Sequence, residues 1–147
     1  MRNFLFLVFF ITSFNISSEE TISRWMSDYF KRIHGHIADE NYDKALDELE
    51  LGVTNYFRNG RTYEAALCYQ LYGQYYAVQS QYTEAVPWFE KALATDKMPR
   101  IGMQEVRFQL AQTYFMIGNY KNVIALLEEF IRAVSYTHLT LPTILPV

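Results

Sequence analysis

A motif that recurs along a chain constrains its fold more than composition does, because each copy must form the same unit and pack on its neighbours. Three stretches here line up: "ENYDKALDELELGV" from Glu40, "SQYTEAVPWFEKAL" from Ser80 and "GNYKNVIALLEEFI" from Gly118. Each opens on two turn-type residues and a tyrosine, Tyr42, Tyr82 or Tyr120. A small or β-branched residue follows three positions later (Ala45, Ala85, Val123). A large apolar one comes four after that (Leu49, Phe89, Leu127), and a last mark three further on (Gly52, Ala92, Phe130). Steps of three and four place these side chains on one face of a helix.

A second helix precedes each tyrosine. It reads "CYQLYGQYYAVQ" in the middle unit and "VRFQLAQTYFMI" in the last. Both have apolar residues at three- and four-residue spacing. Gly73 and Ala111 are small enough to let two helices approach closely, and Tyr76 and Tyr114, three residues on, fill the groove beside them. No stretch alternates with period two, so the expected fold is all-α: about three antiparallel helix pairs, over residues 22–57, 61–96 and 101–132. Asn59-Gly60 and Pro99 with Gly102 supply loop chemistry between the units. Pro87 lies inside the second helix of the middle unit, where a proline removes a hydrogen bond and bends the chain.

These residues resemble the tetratricopeptide repeat family. The middle unit carries most of the signature: Tyr69 in the family's tryptophan place, Tyr72, Gly73, Tyr76, Tyr82, Ala85, Phe89, Ala92 and a closing Pro99. The last unit matches at Leu110, Ala111, Tyr114, Gly118, Tyr120 and Leu127, and departs at Val123 and Phe130. The first matches only in its second helix, since Ile33 and His36 stand where the small residue and the tyrosine belong. Tyr42 to Tyr82 spans 40 residues and Tyr82 to Tyr120 spans 38, against a family period of roughly 34. The resemblance implies a right-handed superhelical solenoid that binds a protein or peptide. It extends, more loosely, to periplasmic repeat proteins encoded near TonB-type systems.

The formal net charge of −3, without a basic stripe, argues against a nucleic-acid partner. At the amino terminus, "MRNFLFLVFFITSFNISS" has a positive residue, an unbroken apolar run from Phe4 to Ile11 and a polar segment with small residues. That is the layout of a secretory signal over residues 1–18, either cleaved or kept as an anchor near the membrane. The apolar run is much shorter than the ~20 residues of a spanning helix. The expected location is therefore secreted or periplasmic, with the repeat domain over 19–132.

No catalytic motif is present, so an enzyme is not expected, and no cofactor is implied. His34 and His36 suggest a metal, but side chains two apart on a helix diverge and cannot chelate jointly. Asp47, Glu48, Glu50, Glu128 and Glu129 read as a solvated helix face. Cys68, the lone cysteine, reads as a buried core residue.

The positive expectation is a binding groove on the first helices. The side chains opposite the packing positions are Phe30 and His34, then Gln70 and Gln74, then Phe108, Gln112 and Phe115. Glutamines hydrogen-bond an extended peptide backbone, and phenylalanines take its apolar side chains. The groove has no lysine or arginine, unlike the carboxylate clamps of the family. The competing expectation for function is the extracytoplasmic sensor region of a longer signalling protein.

The chain ends in "AVSYTHLTLPTILPV", Ala133 to Val147, which has no charged residue. The ten residues Val134 to Thr143 are what a common transposase sequencing adaptor encodes when its complement is translated. On that resemblance residues 133–147 are a non-native tail without regular structure, and His138 leaves the functional inventory. The solenoid is then truncated at its carboxyl end. Self-association through an uncapped last pair is the expected consequence.

Overall fold

The computed structural model describes residues 24–55 and 62–139; the stretch expected to be a signal, residues 1–18, and residues 140–147 lie outside them. Six helices run in order: α1 (Arg24–Ala38), α2 (Tyr42–Asn55), α3 (Tyr63–Val78), α4 (Tyr82–Ala94), α5 (Arg100–Met116) and α6 (Tyr120–Leu139). No strand occurs among the described residues. Each helix packs mainly on the next in sequence, so the chain is a row of three helix pairs. The all-α, paired-helix expectation holds.

The turn inside each pair is the same structure written three times. Its central residue has a left-handed backbone: Glu40 at φ 56°, Ser80 at φ 63° and Gly118 at φ 77°. The next amide reaches back to close the helix: Asn41 N–H to the His36 carbonyl at 2.8 Å, Gln81 to Tyr76 at 3.0 Å, Asn119 to Tyr114 at 2.9 Å. The left-handed residue's own amide bonds Ile37, Ala77 or Phe115. This pair of bonds satisfies carbonyls that a helix end leaves open. The carbonyls of Asn41, Gln81 and Asn119 then accept from Ala45, Ala85 and Val123, starting the second helix at the same register. Only the last turn uses glycine, so the first two carry the cost of a side chain at positive φ.

Across each pair one position is filled by three different chemistries. In α1–α2 it is an ion pair, Arg32 Nη2 to Glu48 Oε2 at 3.1 Å, with the Tyr29 hydroxyl donating to the Glu48 carbonyl at 2.8 Å. In α3–α4 the same register holds Tyr72 stacked on Trp88, with ring centres 4.2 Å apart and planes within 13°. Lys91 Nζ lies 4.7 Å above the same indole, a cation–π contact. In α5–α6 the register holds two leucines, Leu110 and Leu126. The backbone plan is thus repeated while the side-chain chemistry is exchanged.

The closest approach is in the middle pair. A Cβ built on Gly73 would lie 2.6 Å from the Phe89 ring. Both residues are buried, and Ala45, Ala85 and Ala92 are fully enclosed as well. Tyr42, Tyr76 and Tyr82 are half-buried and pack against this core. Tyr120 and Leu127, expected to pack likewise, are exposed instead, because no helix lies beyond α6 among the described residues to cover them. Pro87 sits within α4, which continues unbroken through it to Ala94.

The expected stop near Arg132 is not observed: α6 continues to Leu139. The segment Ala133 to Leu139 contains neither glycine nor proline, so nothing in it interrupts a helix already under way. Ser135 Oγ donates to the Ile131 carbonyl at 2.9 Å.

Gly73→Ala should therefore destabilise the fold by about 1–3 kcal/mol through overpacking against the Phe89 ring. Combined with Phe89→Leu, most of that loss should disappear, as read by urea unfolding of the two single variants and the double variant. Additive losses would show that the helices do not meet at this point.

Candidate functional site

The residues expected to line a groove fall into two groups. Phe30, Gln70 and Gln74 are buried, so they do not form an open peptide surface. They sit where one pair meets the next. Gln70 Nε2 donates to Gln109 Oε1 at 3.1 Å, across the joint between α3 and α5. Phe30 lies in the apolar core beside Tyr29, with ring centres 5.6 Å apart. His34 and Gln112 are half-buried. Burial holds the His34 imidazole below its usual range, which favours the neutral ring. Only Phe108 and Phe115 are open to solvent, and Phe115 meets Tyr120 edge-on at 5.7 Å.

The reason is positional. Shifted by the 40- and 38-residue offsets, Phe30, Gln70 and Phe108 are one site in three units, as are Leu49, Phe89 and Leu127. Phe30 is 1% exposed and Phe108 is 48%. Leu49 and Phe89 are fully enclosed, whereas Leu127 is 47% exposed. In the first two units the following pair covers the site. In the last, α5 and α6 leave an apolar cleft of about 240 Å³ lined by Phe108, Ala111, Leu126, Leu127 and Phe130, with Gln104 and Arg107 at its edge. Arg107 Nε lies 3.8 Å from Glu129 Oε2 and ties the two helices at this edge.

The exposed surface of α6 extends the cleft. Tyr120, Ile124, Leu127 and Ile131 are all open to solvent and recur at steps of four, three and four. They form one continuous stripe along the helix. Val123 and Leu126 are half-buried and pack partly against the core. Alpha-helix α5 contributes a parallel row of Ile101, Phe108 and Phe115, seven residues apart and all exposed. Scattered exposed apolar residues are ordinary, but a contiguous apolar patch around a cleft marks an interaction surface.

The joint between α4 and α5 also carries a polar contact between side chains. The Tyr114 hydroxyl donates to Glu90 Oε1, from α5 to α4. Burial first, and this carboxylate second, push the Tyr114 hydroxyl up to about 12. The same register one unit earlier holds Tyr76 and Glu50; burial first, then the charges of Tyr75 and Glu50, raise the Tyr76 phenol. Periodicity placed Tyr76 and Tyr114 but did not reveal Glu90 as a partner, nor Gln109 and Thr113, because it reports which face a residue occupies and not what covers that face.

The chemistry of the remaining candidates is quiet. Cys68 is fully enclosed, and burial pushes its thiol up to about 12 despite the neighbouring Tyr29 hydroxyl, which acts to lower it. His36 Nε2 lies 3.7 Å from Glu48 Oε1, beside the Arg32 pair. Among the described residues no group of three or more His, Cys, Asp or Glu side chains converges on a point. No family model, curated protein or solved structure matches the chain. The internal repeat is therefore the guide to what the open cleft takes.

Cys68 and Tyr114 are held protonated in the fold, from ordinary values of 9.0 and 10.0. Their contribution to stability is complete below those values and is lost as pH rises towards 12, because the unfolded chain ionises first. The urea midpoint should fall steadily above pH 9, and Cys68→Ala should delay the onset of that fall towards pH 10. A midpoint that is flat between pH 8 and pH 11 would contradict the burial of both groups.

Proposed function

We propose that this chain is a tetratricopeptide-like binding scaffold of the bacterial cell envelope, which holds another protein or peptide and carries out no chemistry. The observation that carries the reading is the open apolar cleft on the last pair, at a position that is closed in the two earlier units. A contiguous apolar surface around a cleft is the kind that another polypeptide covers, since the same area left bare costs solubility. The reading keeps the expected partner class and moves its site. The partner contacts Phe108, Phe115, Leu127 and Phe130, not the buried Gln70 and Gln74. The cleft wall is apolar with Arg107 and Gln104 at its margin, which suits an apolar anchor rather than a terminal carboxylate.

Envelope location rests on the amino-terminal pattern alone. None of the described helices is long and apolar enough to cross a membrane. The right-handed superhelix of the family would present the three pairs as one continuous scaffold.

Crosslinking of the full chain in envelope extract, followed by mass mapping of linked residues, tests this directly. A partner should be captured with links on α5 and α6, and Phe108→Asp should reduce its yield at least ~10-fold. Capture that is indifferent to Phe108→Asp, or links confined to α1 and α2, would place the binding surface elsewhere.

A further inference from the structure

We infer that the buried pair Gln70 and Gln109 fixes the order in which the helix pairs stack: it admits α5 to the second pair and excludes it from the first. The inference is independent of what the α5–α6 cleft binds. Similar units in one chain carry a specific hazard, because a covering helix from one unit also fits the matching face of another, within a chain or between copies. The backbone plan here does not prevent that. The three turns share one geometry, at Glu40, Ser80 and Gly118. Tyrosine on the covering helix and glutamate on the pair beneath recur at one register, as Tyr76 and Glu50 and as Tyr114 and Glu90. Discrimination has to come from side chains that differ between the joints.

Two places do differ. At the second joint Gln70 Nε2 of α3 donates to Gln109 Oε1 of α5 at 3.1 Å, and both side chains are buried. Shifted back by 40 and 38 residues, the same two places at the first joint belong to Phe30 and Leu71, which are also buried. One helical turn further along α5, Thr113 stands where α3 has Tyr75. Tyr75 meets Tyr42 of the first pair edge-on, with ring centres 6.2 Å apart. Thr113 is fully enclosed and turns its hydroxyl to the Gln109 carbonyl of its own helix at 2.7 Å. Each covering helix therefore matches the pair beneath it: apolar and bulky on the first, polar and smaller on the second.

Exchanging the covering helices breaks both matches. Seated on the first pair, α5 brings the Gln109 amide against the Phe30 ring, where it finds no acceptor. Seated on the second pair, a copy of α3 brings Leu71 against Gln70 and leaves that amide unpaired. A buried amide without a partner bears its whole desolvation penalty, whereas the apolar match of Phe30 with Leu71 bears none. The wrong order is thus disfavoured at each joint by the residue that favours the right one.

Stability alone does not account for the glutamines. Gln109 Nε2 is buried and has no hydrogen-bond partner among the described residues. The joint therefore carries an unmet donor that an apolar side chain would remove. Replacing both members of a buried polar pair by apolar groups of similar shape is often neutral or stabilising, while replacing one is costly. Fixing register is the best-attested use of such a pair.

The test transplants the first joint into the second, as Gln70→Phe with Gln109→Leu in the full chain. Phe108→Asp is present in both transplant and reference, so association through the open cleft does not contribute. Equal amounts of isotope-labelled and unlabelled chain are unfolded in urea, refolded together, crosslinked and mapped by mass. In the reference, α5 should link to α3 and α4 within one copy. In the transplant, links from α5 to α1 and α2 that join labelled to unlabelled chain should rise at least about fivefold, with circular dichroism unchanged. Gln109→Leu alone should raise the unfolding equilibrium constant about 5- to 30-fold, and adding Gln70→Leu should recover most of that loss. The same link map in a folded transplant overturns the inference, and so do additive losses for the two single variants. If the transplant does not fold, Gln70→Leu with Gln109→Leu carries the same expectation for the links, and a map unchanged there overturns it equally.

Discussion

A helix pair has two apolar sides, and only one of them is covered by its own partner helix. The other must be covered by the next pair, and every later feature of this structure follows from that requirement. Gly73 and Phe89 settle the inner side, where a missing Cβ lets α3 and α4 meet. Gln70 with Gln109, and Tyr114 with Glu90, settle the outer side, where α5 lies on the second pair. The last pair has its inner side packed through Leu110, Val123 and Leu126, while its outer side faces water. The candidate site is simply the joint that comes third.

The same logic explains how three units of different chemistry hold one geometry. The left-handed turns at Glu40, Ser80 and Gly118 fix the direction of the chain, and the cross-pair position needs only complementary partners. An exposed ion pair at Arg32 and Glu48 contributes little on its own in water. The Tyr72 and Trp88 stack, with Lys91 over the indole, adds area and a favourable ring contact to the middle pair. The middle unit, which is enclosed on both sides, also carries the largest share of the enclosed small residues.

Much of this was legible in the sequence. The register of Tyr42, Tyr82 and Tyr120, the small residue at Gly73 and the burial of Cys68 all follow from spacing and residue type. The fate of Phe30, Gln70 and Gln74 was not, because period 3.6 places them on the outer face without saying whether a neighbour lies there. Tyr120 and Leu127 failed in the opposite sense: they have the right face and no neighbour. Reading the three units as equivalent positions, rather than reading each helix alone, would have separated the covered joints from the open one. The length of α6 was missed for a different reason: an unusual composition after Arg132 is not itself a helix stop, and no glycine or proline occurs before Leu139.

The central claim is that Phe30 and Phe108 occupy one structural position, closed in the first unit and open in the last. The most direct measurement is the unfolding free energy of Phe30→Ala beside that of Phe108→Ala, in the same chain and the same buffer. The account predicts a loss of about 3–5 kcal/mol for Phe30→Ala, as for a filled core position, and less than about 1 kcal/mol for Phe108→Ala. Equal losses at the two positions would contradict it.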